Sequence, residues 1–182
     1  MTSYFQKPLR LVISLIENPF ACLVAAILLC SPAYAQDEAN YGSWTAKCEP
    51  PHDNKEGGCF IFQNLVLREG GQRVLQVAIG YVPNTTEPIA LLSLPLGISL
   101  PPGVSIELPQ STPIRFPVER CEPNGCRAGL KLKPEFLVAL KRADKLTVRF
   151  HDAQRQPIEV PLSLSGFTAG LEALSKGSIT AN

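Results

Sequence analysis

The sequence predicts an all-β fold, an antiparallel β-sandwich with one or two short helices near the C-terminus. Three observations lead to this prediction. Seventeen prolines and thirteen glycines in 182 residues interrupt any long helix. Between these breakers, apolar and polar residues alternate with a period of two, which is typical of strands that bury one face. About eight such segments are separated by turn residues, a spacing typical of two packed antiparallel sheets.

The expected strands begin at the single tryptophan. Trp44 to Cys48 is the first of them. The segment from Cys59 to Arg68 is apolar on both faces, so we expect a central strand that is buried on both sides. The remaining strands alternate, and they are expected at Leu75 to Tyr81, Val104 to Leu108, Ile114 to Arg120, Cys126 to Leu132, Leu146 to Phe150 and Ile158 to Leu164.

Two segments in the C-terminal third are expected to be helical. Pro134 to Arg142 opens with a proline, whose missing N–H costs nothing in the first turn of a helix. Gly166 to Lys176 places Phe167, Leu171 and Leu174 on one apolar stripe. Both segments are short enough to pack against the end of a sandwich.

The first 35 residues predict a cleavable secretory signal peptide. Lys7 and Arg10 precede a ten-residue apolar run from Phe20 to Leu29, and Ala33-Tyr34-Ala35 supplies the cleavage site. Ten apolar residues in a helix span only about 15 Å, roughly half of a bilayer's hydrocarbon core, so a membrane anchor is disfavoured. A lipoprotein signal is disfavoured too, because the bulky Leu29 precedes Cys30.

Cleavage after Ala35 defines the expected organisation of the chain. A single domain is expected over residues 36–176, with a frayed tail over residues 177–182. Without the signal, 15 of the 17 basic and 15 of the 16 acidic residues remain. A balanced charge without a basic run gives no footprint for nucleic acid, so nucleic acid is not an expected partner. The expected partner is a protein, either an envelope component or a host surface. The expected location is the periplasm, the outer membrane or the medium of a Gram-negative bacterium, with no transmembrane span after cleavage.

Four cysteines remain after processing, and an even number in an exported chain predicts disulfides. They allow three connectivities, which the sequence alone leaves open; the local pairs are the simplest. In Cys121-Glu-Pro-Asn-Gly-Cys126 the intervening residues favour a turn, so a bond there would close a hairpin at its tip. A redox pair is disfavoured, because four residues separate the cysteines and a strand follows them. A zinc site from Cys48, His52 and Cys59 has the spacing of no common zinc finger.

The sequence gives no positive argument for an enzyme. His52 and His151 each precede an aspartate, a pairing that a general base and its orienting carboxylate can have. Adjacent residues of a strand point to opposite faces, however, and neither histidine accompanies a nucleophile motif. Surface histidines are therefore the favoured interpretation. No catalytic residue, metal ligand or cofactor is expected, and Trp44 is expected to be a core aromatic.

One segment suggests a binding surface. Ile89 to Pro109 combines many leucines and isoleucines with prolines, which remove backbone donors from a sheet. The favoured interpretation is a buried edge strand that packs its leucines inward. The alternative is an exposed apolar rim that docks a partner, formed by Leu92, Leu94, Leu96 and Ile98.

The chain resembles the invasion-associated locus B family of exported bacterial proteins from about Tyr41 to Leu174. The resemblance is carried by Trp44, the Cys48 and Cys59 pair, Cys121-x4-Cys126-Arg-Ala, and the stretches LPLGISLPPGVSIEL and PIEVPLSLSGFTAGLEAL. It implies an immunoglobulin-like antiparallel β-sandwich, and the matching cysteine positions support the two local disulfides. It carries over no catalytic residue.

The resemblance also implies an association with entry into host cells, although many relatives occur in bacteria with no invasive habit. We therefore expect an exported, non-enzymatic envelope protein that binds another protein and is associated with invasion or virulence. The alternatives are a periplasmic structural or envelope-maintenance protein without a host role and, less favoured, an exported enzyme.

Overall fold

The computed structural model describes residues 38–51, 57–68, 70–83 and 85–177. The predicted signal peptide and residues 178–182 of the predicted tail lie outside the described residues. Within them, the predicted all-β antiparallel sandwich is confirmed, with a seven-stranded sheet, a four-stranded sheet and two helices. In the described part of the chain, neither helix is long and apolar enough to cross a membrane.

Every strand pairing in the two sheets is antiparallel. The larger sheet has the order β1-β2-β3-β4-β5-β9-β8, and the smaller sheet has the order β11-β10-β6-β7. The elements are β1 Glu38–Tyr41, β2 Trp44–Glu49, β3 Gly58–Val66, β4 Arg73–Tyr81, β5 Pro88–Leu94, β6 Val104–Glu107, β7 Ile114–Phe116, β8 Arg120–Glu122, β9 Gly125–Lys131, α1 Pro134–Arg142, β10 Lys145–His151, β11 Pro157–Ser163 and α2 Phe167–Lys176.

The core lies between the two sheets, because alternation along each strand directs one face inward. Ile61 and Leu92 of the larger sheet are fully buried, as are Val148 and Phe150 of the smaller sheet. Each such side chain contributes roughly 1.5–3 kcal/mol by leaving water. Helix α1 adds the buried Leu140 to the same core.

The predicted core position of Trp44 is confirmed. Its side chain is 1% exposed, and its ring centroid lies 5.5 Å from that of Phe167 in α2. The indole Nε1 donates a hydrogen bond to the Ser163 carbonyl at 3.1 Å, which satisfies its buried polar group. Gly166, at the N-cap of α2, has a φ of +82°, and a Cβ there would lie 2.0 Å from the Tyr41 carbonyl oxygen. Glycine is therefore required where α2 meets the β1–β2 turn.

The strand expected from Ile114 to Arg120 is divided in the structure, so that prediction is wrong. Ile114–Phe116 pairs in the smaller sheet, and Arg120–Glu122 pairs in the larger sheet. Pro117 follows the first of these strands and has no N–H to continue its hydrogen-bond ladder. The chain crosses between the sheets at this point.

The leucine-rich segment is an interior strand, so the expected edge strand is also wrong. Strand β5 pairs with β4 on one side and with β9 on the other. Pro88 is its first residue and Pro95 follows its last, positions at which a proline interrupts no interior hydrogen bond. The next two prolines, Pro101 and Pro102, lie in the connection to β6.

Candidate functional site

The outer face of the larger sheet carries an apolar trough that runs along β4. Register pairs Ala78 with Phe62 on one side and Leu91 on the other. The floor is thus formed by small residues of β4, and larger residues of β3 and β5 form the walls. We define the trough by Phe60, Phe62, Ala78, Gly80, Ile89 and Leu91.

The dimensions of the trough follow from sheet geometry. Its walls stand two strand spacings apart, or about 10 Å between backbones. Gln76 lines one end, and Tyr81 and Val82 line the other. At about 3.3 Å per residue this is a length of roughly 20 Å. The enclosed volume is about 550 Å³, enough for several large side chains.

The trough exposes large apolar side chains to solvent. Leu91 is 51% exposed and Val82 is 46% exposed. Phe60 and Phe62 are half-buried, with ring centroids 5.9 Å apart. A contiguous exposed apolar surface of this kind is typical of an interaction site. Partial burial also raises the pKa of the Tyr81 phenol above its ordinary value, because burial disfavours the phenolate.

Two predictions about apolar faces are corrected by this geometry. Strand β3 was expected to be buried on both sides, but only its inner face is covered: Ile61 is fully buried, whereas Val66 is 56% exposed. Of the predicted rim, Leu92 and Leu94 face the core and are 0% and 2% exposed. They cannot contact a partner while the domain is folded.

The other two rim residues lie beyond β5. Leu96 is 55% exposed, while Ile98 is half-buried and forms a β-bridge with Asp152. The residues that sequence analysis missed are Phe60, Ile89 and Leu91, which share the opposite face. The signal for them was present, because both β3 and β5 are apolar at successive positions rather than at alternate ones.

Charged side chains stand at the borders of the trough. On the β2 side, Lys47 lies 4.0 Å from Glu38 and 3.9 Å from Glu49, so its charge is balanced. On the β9 side, Lys131 is exposed beside Ile89 and has no ion pair among the described residues. A lysine without an ion pair therefore adjoins one wall, and the Glu119 carboxylate lies beside Gly129 on the same border.

The outer face of the smaller sheet carries a polar depression of about 420 Å³. Ser105 of β6 lies opposite Arg149 of β10 in one direction and Arg115 of β7 in the other. Small residues again form the floor, here Ser105 of β6 and Gly103 just before this strand, and larger neighbours form the walls. We define the depression by Gly103, Ser105, Arg115, Arg149 and His151, with Pro102, Pro157 and Glu159 at its margin.

Arg149 is held in place by two carboxylates. Its guanidinium lies 2.5 Å from Glu107 and 2.7 Å from Glu159, on the strands at either side. The hydrogen bond that Arg149 donates to Glu159 is the main cause that raises the pKa of Arg149, and the Glu107 charge adds to it. Both carboxylates are thus engaged with this one side chain.

The other polar groups of the depression have free hydrogen-bonding capacity. Ser105 is 7% exposed, and its hydroxyl has no hydrogen bond among the described residues. Arg115 is exposed and forms no ion pair within the described part of the chain. Nδ1 of His151 is buried without a described hydrogen-bond partner.

Within the described residues, neither histidine that precedes an aspartate is seen to form a catalytic pair with it. His52 lies outside the described residues. His151 is half-buried rather than on the open surface. The Asp152 carboxylate accepts a hydrogen bond from the Gln156 backbone at 2.8 Å, so it stabilises the β10–β11 turn.

Both local disulfides are present, and the predicted brace at each is confirmed. Cys48 lies opposite Cys59 on β2 and β3, and Cys121 lies opposite Cys126 on β8 and β9. Each bond thus joins two adjacent antiparallel strands. Because Cys48 and Cys59 are bonded to each other, neither supplies a thiolate for the zinc site considered above.

Together these features define a disulfide-braced, two-sheet β-sandwich with an apolar trough on one outer face and a polar depression on the other. Residues 44–175 match the profile of the family described as "Invasion associated locus B (IalB) protein". The chain belongs to this family, as its sequence resemblance implied.

Relatives and a solved structure agree with this assignment. Two proteins called "Invasion protein B homolog", from Brucella abortus strain 2308 and from B. abortus biovar 1 strain 9-941, are each 27% identical over 138 residues. Each match covers 75% of this chain and 78% of the relative. The crystal structure of invasion associated protein B from Bartonella henselae matches with a TM-score of 0.66 and 20% identity, over 76% of this chain and 95% of that one. At this identity, the structural match supports the fold alone.

Proposed function

We propose that this chain is an exported, non-enzymatic protein of the bacterial envelope that acts by binding another protein. The observation that carries the proposal is the trough. Leu91 is half exposed on an interior strand of the larger sheet, beside the half-buried Phe60 and Phe62. Partner binding would remove this apolar surface from water, at about 25 cal/mol for each Å² buried.

The shape and charge of the trough specify the partner's chemistry. A width of about 10 Å admits one extended chain, whereas a helix with its side chains is about 10–12 Å across and would fit less deeply. The partner segment would place large apolar side chains at alternate positions over Ala78 and Gly80. An acidic residue at its border would complement Lys131, which lacks an ion pair among the described residues.

Two further observations support export and a role in the envelope. Disulfides between Cys48 and Cys59 and between Cys121 and Cys126 suit an oxidising compartment. Relatives in B. abortus carry "invasion protein" in their names. A role at the host surface requires that the protein lie outside the outer membrane, so location separates it from an envelope-maintenance role. If the partner is periplasmic, protease added to intact cells should leave the chain uncut. Cleavage of the chain on intact cells would favour direct host contact.

Site-specific photo-crosslinking in living cells tests the binding function. A photoreactive phenylalanine analogue replaces Phe62 in the trough and, in a matched control, replaces Val138. Val138 is 48% exposed but lies on α1, away from the trough. We expect one discrete adduct from position 62 and none of the same mass from position 138.

A second substitution makes the result specific to the surface. Leu91→Lys places a charge on the opposite wall, and it should remove the adduct from position 62 while the protein remains folded by circular dichroism. If positions 62 and 138 give the same adducts, or if Leu91→Lys leaves the adduct intact, the trough is not the binding surface.

A further inference from the structure

We propose that the polar depression of the smaller sheet is a binding site for a phosphoryl group. The first observation concerns Ser105 at its floor. The residue is more than nine-tenths buried, yet its hydroxyl has no partner among the described residues. Because the hydroxyl lines the depression and has no described protein partner, it can donate a hydrogen bond to a ligand oxygen there.

The second observation is that the remaining hydrogen-bonding capacity favours an acceptor ligand. Glu107 and Glu159 are both engaged by Arg149, so the carboxylates of this face are occupied. Arg115 has no ion pair in the described part of the chain, and a guanidinium can only donate. The group that fits beside it is therefore an anion.

The third observation is that the available donors converge from different directions. Arg115 stands on β7, and His151 stands on β10, with Ser105 between them on β6. A tetrahedral phosphoryl group offers oxygens toward three such directions, whereas the two oxygens of a carboxylate lie in one plane. The arrangement thus favours the tetrahedral group.

The depression requires a glycine at position 103, because the backbone there leaves no room for a side chain. Gly103 has a φ of +67°, and a Cβ at this position would lie 2.5 Å from the Phe116 carbonyl oxygen. Any larger residue would force β6 and β7 apart. Arg149 forms the wall opposite Arg115, and its two carboxylate partners hold its guanidinium in place. It therefore shapes the depression as a positioning residue.

Titration with inorganic phosphate, followed by amide chemical shifts of the oxidised protein, tests this inference. We expect saturable shifts centred on Ser105 and Arg115. Arg115→Gln should weaken phosphate binding at least about tenfold, the value of one charge-assisted hydrogen bond. Ser105→Ala should also weaken it, with little effect on folding, because the hydroxyl has no protein partner that would be lost.

Arg142→Gln is the matched control, because Arg142 is an exposed arginine of α1 outside the depression. It should leave phosphate binding unchanged. If Arg142→Gln weakens binding as much as Arg115→Gln does, general charge attraction explains the shifts and the site is overturned. Shifts that do not saturate, or that are absent around Ser105, overturn it as well.

The source of the phosphoryl group is resolved by a second probe. Vesicles of phosphatidylcholine with and without phosphatidic acid are sedimented with the wild-type protein and with Arg115→Gln. Sedimentation that requires both phosphatidic acid and Arg115 identifies a lipid headgroup as the ligand. Phosphate binding without such sedimentation identifies a soluble phosphorylated molecule. The trough takes no part in either measurement, so failure here would leave the proposed protein-binding function untouched.

Discussion

The outer faces of the two sheets share one plan and differ in chemistry. On each, small residues form a floor: Ala78 and Gly80 of β4 in the larger sheet, and Ser105 of β6 with the preceding Gly103 in the smaller. On each, the neighbouring strands contribute larger residues to the walls. The comparison shows that a concave surface forms where small residues are paired, across the sheet, with larger residues of the neighbouring strands. The chemistry of those larger side chains then determines what the surface can bind.

The two surfaces should therefore respond differently to solution conditions. Binding in the trough depends on apolar burial, which added salt strengthens or leaves unchanged. Binding in the depression depends on a charge–charge contact at Arg115, which salt screens. The contrast also suggests independent sites, because the sandwich core separates the two outer faces.

The largest expected effect separates the inner face of β5 from its outer face. Leu92→Ala should lower the free energy of unfolding by about 3 kcal/mol, because it leaves a cavity in a fully buried position. Leu91→Ala, the adjacent and half-exposed control, should cost less than about 1 kcal/mol. Urea unfolding measures both variants. Equal losses would mean that the outer face is covered, and the trough would then not be a free surface.

The disulfides should give the next largest effect. In the loop-closure account, replacing Cys48 and Cys59 by alanine costs about 3 kcal/mol, and replacing Cys121 and Cys126 costs about 2 kcal/mol, because the first bond closes the longer loop. Cys59 also lines the trough. Replacing Cys48 and Cys59 should therefore lower the yield of the crosslinked adduct from position 62 as well as the free energy of unfolding. A weakened phosphate affinity in that variant would show that the two faces are coupled.

Reciprocal filling of the two floors should change binding more than stability. Ala78→Leu fills the trough and should abolish the Phe62 adduct while phosphate binding persists. Ser105→Leu fills the depression and should abolish phosphate binding while the adduct persists. Ala78 is half-buried, so Ala78→Leu should change the unfolding free energy by about 1 kcal/mol or less. Ser105 is buried, so Ser105→Leu should cost about 1–3 kcal/mol through overpacking, and circular dichroism checks that this variant is folded. Loss of both activities in either variant would contradict independent faces.

The smallest expected effect is a pH dependence at the end of the trough. Burial raises the pKa of Tyr81 above its ordinary value of 10.0, so the folded state holds the phenolic proton more tightly than the unfolded chain does. The resulting stabilisation is present below the unfolded pKa and is lost as pH rises through the folded pKa. Tyr81→Phe should flatten this part of the stability profile in urea unfolding between about pH 9 and pH 11. An unchanged profile would show that Tyr81 is not desolvated.

Secondary structure could be predicted well wherever alternation was regular. Strands β10 and β11 lie at their expected positions, because their apolar periodicity is uninterrupted. Helix α1 also lies where it was expected, because its opening proline is a local signal for a first turn. Prediction failed where the pairing of a segment with another strand determines whether that segment forms a strand and in which sheet. Strand β1 was not anticipated, and the strand expected from Ile114 to Arg120 divides at Pro117 because its two parts join different sheets.

The candidate sites were harder to predict than the elements. Alternation shows that Leu91 and Leu92 face opposite ways, but it does not show which face is covered. For that reason, two of the four residues of the predicted rim, Leu92 and Leu94, lie on the buried side. In the depression, Ser105, Arg115 and Arg149 are distant in the chain and become neighbours only through strand register.

The sequence by itself determined the fold class, both helices and the local disulfide arrangement favoured at Cys121 and Cys126, because periodicity and turn chemistry are local properties. The tertiary structure alone decided which strands are interior, which leucines are exposed and which polar groups share one depression. The physical reason is that burial and register depend on contacts between distant segments, and those contacts form only when the two sheets pack together.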